Sequence, residues 1–144
     1  MKIQISMTTN LKEIAKKYFR GIYEGKEHVI EEYSSDDIIC TYPIFKELFN
    51  QSVLQGKESI LKFVKGFKSR WEDCQTTFHH IVAEDHEVVV VWSFQARRRN
   101  DGTDLSNELQ SWGGITHFTF NSLGKISSEI GEESSPGPIG RLSL

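Results

Sequence analysis

Near residue 75 the apolar residues stop recurring every three or four positions and begin recurring every two. A helix turns once in 3.6 residues and a strand alternates its faces, so a chain with both periods in that order segregates helices from a sheet. Before the switch, Leu11, Ile14, Ala15, Tyr18, Phe19, Ile22 and Tyr23 form one stripe at i, i+3, i+4, i+7 spacing. Asn10 with Glu13 has the pattern of a capping box and Gly25 suits a C-terminal stop, which bounds a first helix. A second helix, about 26–33, turns Val29, Ile30 and Tyr33 inward. A third, about 57–71, does the same with Ile60, Phe63, Val64, Phe67 and Trp71. Between them, 38–42 reads as a short strand stopped by Pro43, which lacks the N–H a ladder needs. Residues 44–56 read as an irregular loop rich in apolar side chains, among them Ile44, Phe45 and Leu48, a candidate cover for a pocket.

After the switch the candidate strands are 75–84, 87–99, 107–121 and 124–133, divided by turn-forming residues. In the second of them Val88, Val90, Trp92, Phe94 and Ala96 share one face, and Val89, Val91, Ser93, Gln95 and Arg97 share the other. Trp112-Gly113-Gly114 suggests a bulge or sharp bend. The expected fold is α+β: three helices packed on a strongly curved antiparallel sheet, with a cone-shaped cavity between the layers. At 144 residues one domain is expected, its core at about 8–133 and 134–144 an extended tail lying across a dimer or the cavity mouth. Apolar residues on both faces of the long strands leave one face in need of cover, which predicts a homodimer.

A net charge of −3 argues against a nucleic-acid partner, and the basic run Arg97-Arg98-Arg99, beside Asn100-Asp101-Gly102, reads as the solvated end of a hairpin. Cys40 and Cys74 have no CxxC spacing and read as free thiols in a reducing compartment. Residues 1–10 lack the apolar run of a signal peptide, and no run approaches the roughly 20 residues of a membrane span. A cytoplasmic protein without a membrane partner is expected. No cluster has metal-ligand spacing, and no phosphate-cradling or dinucleotide motif occurs, so neither metal nor cofactor is expected.

Gly114-Ile115-Thr116-His117-Phe118-Thr119-Phe120-Asn121 followed by Gly124-Lys125-Ile126 resembles the last hairpin of the nuclear transport factor 2-like superfamily. The Tyr42-Pro43 strand end and the Gly56-Lys57-Glu58 helix start fit the same layout. The superfamily includes ketosteroid isomerase and the SnoaL-like polyketide cyclases. The resemblance implies a cofactor-independent isomerase, cyclase, dehydratase or hydrolase acting on a hydrophobic, cyclic or polyketide-like small molecule. The alternative is a non-catalytic ligand-binding or protein-interaction module.

In ketosteroid isomerase an Asp is the base, and a Tyr with a protonated Asp forms the oxyanion hole. The base position here resembles Tyr42 and the oxyanion position Thr116, so that chemistry does not carry over residue for residue. SnoaL-like cyclases place a His and an Asp near Glu129 and Gly131. The resulting candidate proton carriers are Glu129, His80 and Tyr42. Glu129 shares its parity with Gly131, whose missing side chain is expected to leave room for a ligand. Tyr18, Trp71, Trp92, Phe94, Trp112, Thr116, Phe118 and Glu133 are candidates for the ligand-binding wall. His79 and His80 are neighbours on a strand and are expected to face opposite ways. His117 is expected to be a hydrogen-bonded residue of the sheet.

Overall fold

The computed structural model describes residues 2–103 and 106–143, with side chains from residue 10 onward. Helix α1 (Lys2–Tyr23) lays its apolar stripe on the sheet, burying Ala15, Tyr18, Phe19 and Ile22. It starts well before Asn10, so Asn10 lies within the helix and the expected capping box does not form. Helix α2 (His28–Tyr33) leads into β1 (Ser34–Thr41), which begins four residues earlier than its periodicity indicated. The expected loop is partly folded: α3 (Ile44–Phe49) and a two-residue strand, β2 (Leu54–Gln55), precede α4 (Lys57–Arg70). A six-residue helix is too short to show helical periodicity in sequence and is held by the burial of Phe45.

The meander follows as β3 (Trp71–Glu84), β4 (Glu87–Arg98), β5 (Leu109–Phe120) and β6 (Ile126–Ser134). The sheet order is β2-β1-β6-β5-β4-β3. Neighbours in the meander are antiparallel, whereas β1 joins β6 in parallel, Cys40 opposite Glu129. No hairpin links those two strands, so no local turn set their direction. The fold is therefore α+β, with helices packed on one face of a six-stranded, curved open sheet. Among the described residues no helix is long and apolar enough to cross a membrane.

The register of β4 with β5 runs unbroken across Gly113 and Gly114, so no bulge interrupts that pairing. Gly114 instead clears space for the Trp92 indole, which a Cβ would strike. Register shifts fall elsewhere: on β3 between Glu72 and Gln75 and between Phe78 and His80, on β1 between Ser34 and Ile39, and between Thr119 and Phe120 in the β5–β6 pairing. The tail is not extended throughout: α5 (Pro138–Leu142) folds back, with Gly137 seated on Gly113. Leu144 lies outside the described residues.

Candidate active site

On β6, Glu129, Gly131 and Glu133 point toward the helices, as alternation requires. Across the parallel pair β1 supplies Cys40, and Tyr42 follows its end; β5 supplies Thr116 and β4 Trp92. Four hydrogen bonds join them. Tyr42 donates its hydroxyl to Glu129 Oε2 at 2.6 Å, and Cys40 Sγ donates to Glu129 Oε1 at 3.5 Å. Tyr42 Oη lies 2.7 Å from Thr116 Oγ1, which accepts the Trp92 indole N–H at 3.0 Å. An indole N–H only donates and a carboxylate only accepts. With Glu129 ionised, the chain therefore runs one way, Trp92 to Thr116 to Tyr42 to Glu129. Protonation of Glu129 lets its link to Tyr42 reverse.

Glu129 is 1% exposed. Burial pushes its carboxyl up to about 7, against the downward pull of the Tyr42 and Cys40 bonds. Burial, and then the Glu129 charge, push the Tyr42 phenol well above its ordinary value. Tyr23 on α1 is raised in the same way by burial and Glu129, with smaller upward contributions from Cys40 and Glu133; contact with Tyr42 pulls the other way. Tyr23 thus lies within electrostatic reach of both inward-facing glutamates.

A cavity of about 390 Å³ opens between α4, the ends of β4 and β5, and α3. Tyr23 and Tyr42 are among its most buried lining residues, Trp71 and Trp112 form aromatic wall, and Ile44, Phe45 and Leu48 of α3 contribute the apolar cover. Its charged groups are Glu133, Arg70 and Arg98. Burial, followed by the neighbouring Glu132 charge, pushes the Glu133 carboxyl up to about 7.

Four of the sequence-derived candidates line this cavity: Tyr42, Trp71, Trp112 and Glu133. Glu129 stands behind Tyr42 and is reached through it. Trp92, Thr116, Phe118, Phe94 and Tyr18 are buried core rather than wall of this cavity. Tyr18 stacks edge-on against Phe118 at 6.2 Å, and its hydroxyl has no hydrogen-bond partner among the described residues. The space beside Gly131 is filled by the Tyr42 ring, which a Cβ there would overlap, so it holds no ligand.

His80 is not a cavity residue. The β3 bulge leaves His79 unpaired between Phe78, opposite Trp92, and His80, opposite Val91. Both imidazoles therefore fall on the outer face: His79 Nε2 lies 2.7 Å from Ser93 Oγ, and His80 is exposed. His117 also faces outward, with Nε2 2.8 Å from Glu87 Oε1.

The sequence reading missed Tyr23, Arg70 and Arg98. Arg98 shares the parity of Trp92, Phe94 and Ala96, so alternation already pointed it inward rather than to solvent. Arg70 continues the Phe63–Phe67 stripe by three residues. Among the described residues no group of three or more His, Cys, Asp or Glu side chains is placed to hold a metal ion.

Residues 15–129 match the model of the SnoaL-like domain. The chain belongs to this family. No curated protein sequence matches it. Solved structures with the same fold include an NTF2-like protein of unknown function from Burkholderia pseudomallei, 9% identical, covering 85% of this chain and 88% of that one, TM-score 0.68. A LEH-like epoxide hydrolase of M. tuberculosis is 11% identical over 89% of this chain and 85% of its own, TM-score 0.68. The epoxide hydrolase/cyclase-like enzyme SalBIII, which has a role in pyran ring formation in polyether salinomycin, is 17% identical over 88% and 92%, TM-score 0.67. At these identities the likeness of this SnoaL-like chain to them is one of fold.

Proposed function

We propose that this SnoaL-like protein is a cofactor-independent enzyme that opens or closes oxygen-containing rings on a hydrophobic small molecule by general acid–base catalysis. The observation that carries the reading is the 2.6 Å bond between Tyr42, on the cavity wall, and the buried carboxyl of Glu129. Two carboxyls serving one cavity, both titrating at about 7, can supply an acid and a base at neutral pH. In the proposed step, ionised Glu133 takes the proton of a water or of a substrate hydroxyl. That oxygen attacks an epoxide carbon, and the carbon–oxygen bond of the epoxide breaks. The departing oxygen takes a proton from Tyr42, which is replenished from protonated Glu129. Water as nucleophile gives hydrolysis; an internal hydroxyl gives cyclisation. The two epoxide-hydrolase-type neighbours support this choice among the chemistries of the fold.

The test is incubation with styrene oxide and with a 4,5-epoxy alcohol, following diol and cyclic ether by chromatography. Turnover that disappears in Tyr42→Phe and Glu129→Gln supports the reading. Absence of turnover on either substrate class overturns it. The sealing of Glu129, 1% exposed, favours a second reading, a ligand-binding module in which the Tyr42–Glu129 pair is structural. That reading expects small molecules to bind unchanged and Tyr42→Phe to leave their affinity intact.

The outer sheet face carries Val82, Val89, Val91, Ile115 and Ile130, with Ile115 44% and Ile130 48% exposed. We place a second copy of the chain on this face, in a cytoplasmic setting that suits the free Cys40 and Cys74. Light scattering of the wild type as a dimer and of Ile115→Lys as a monomer is the expected outcome. A 16.5 kDa wild-type monomer contradicts it.

A further inference from the structure

We propose that Arg70 and Arg98 clamp the carboxylate of the hydrophobic ligand that occupies the cavity. The inference rests on the reading of that cavity as a small-molecule site and assigns the ligand its charge. The two side chains come from different elements, the last residue of α4 and the last of β4, and both line the same aromatic space. Arg98 stacks over the Trp71 ring at 5.3 Å from its centroid, and Trp71 in turn meets Trp112 at 5.2 Å. An apolar body against those indoles thus lies beside the cations.

Among the described residues the two arginines have a single carboxylate ion partner between them. Arg70 has no ion pair and no side-chain hydrogen bond to any described residue. Arg98 has one ion partner among the described residues, Asp101, whose Oδ2 lies 3.8 Å from its Nε. Partial burial, then the Arg98 charge, pull the Arg70 guanidinium below its ordinary value, so the two cations lie close enough to repel. Glu133, the carboxylate of the same cavity, forms no ion pair or hydrogen bond with either arginine. A guanidinium presents a planar fork of donors that matches a carboxylate. A singly charged group fits better than a phosphate dianion, because Glu133 adds negative charge to the same space.

The experiment uses two probes of nearly equal shape, 2-naphthoate and neutral 2-naphthylmethanol, titrated calorimetrically at pH 7.5 into the wild type, Arg70→Gln and Arg98→Gln. The expected result is that wild type binds the carboxylate at least about tenfold more tightly than the alcohol. Each variant loses most of that preference while its affinity for the alcohol stays within about twofold, which also reports an intact cavity. Equal wild-type affinities for the two probes overturn the clamp and leave the acid–base reading standing. A preference that survives in both variants also overturns it, because the selectivity then originates elsewhere. If neither probe binds the wild type, the clamp falls together with the cavity reading beneath it. Should a variant lose the alcohol as well, the wild-type pair of titrations decides alone.

Discussion

Glu129 and Glu133 sit four residues apart on β6, face the same layer, and are both pushed up to about 7, but by different balances. Glu129 is sealed; a large burial effect is partly offset by donors from Tyr42 and Cys40. Glu133 is half-buried in an open cavity, with a smaller burial effect and the Glu132 charge acting in the same direction. Strand alternation brought both to one side, and what lies over each left one sealed beneath Tyr42 and the other on the wall of the cavity. A shifted pKa therefore identifies a role only when read with its neighbours.

The contrast is sharpest in the pH dependence of rate. Glu129→Gln and Glu133→Gln are each expected to lower turnover of an epoxide substrate by roughly 10²-fold or more, while removing opposite limbs of the profile. The proposed step needs Glu129 protonated, so activity is expected to fall as pH rises through about 7. It needs Glu133 ionised, so activity is expected to fall as pH drops through about 7. Profiles of kcat/KM from pH 5 to 9 check this, and loss of the same limb in both variants breaks the distinction.

Gly131 separates the two carboxylates in sequence, and its bare Cα receives the Tyr42 ring. Gly131→Ala is expected to cost about 1–3 kcal/mol in urea unfolding, because the ring must move off Glu129. It should leave the Glu133 limb of the rate profile in place.

Stability offers a smaller effect with a definite sign. A carboxyl raised from 4.5 to about 7 in the folded state binds more protons folded than unfolded across that interval. Its contribution is complete below about 4.5 and is lost as pH rises through about 7. The wild type should therefore be less stable at pH 8 than at pH 5 by on the order of 2 kcal/mol from Glu129. Glu129→Gln and Glu133→Gln should each flatten that slope by a similar amount, since both carboxyls are raised from 4.5 to about 7, as read by denaturant midpoints across pH.

The smallest expected effect is on the outer face: His80→Ala should change turnover and stability by no more than about 0.5 kcal/mol. A large loss of activity would return that histidine to the site from which the β3 bulge removes it.

Much of this molecule could be read from periodicity. The α1 stripe, the inward parity of Glu129 with Glu133, and the buried run from Val88 to Ala96 all depend on geometry between near neighbours in the chain. Even the missed Arg98 obeys that rule; its place in a basic run concealed its parity. The candidate site was legible as residue types and faces, not as contacts. One extra residue at His79 shifted the later part of β3 by one position and put His80 on the outer face.

By itself, then, the sequence determined the helices-then-sheet order and which residues share a face, because those follow from 3.6- and two-residue repeats within a single element. Tertiary structure alone decided that Tyr42 would lie over Gly131 and bond Glu129, residues 87 apart. It also decided that Arg70 and Arg98 would share one space. Contacts of that kind depend on the register between strands and on the packing of helices against them, which no local repeat encodes.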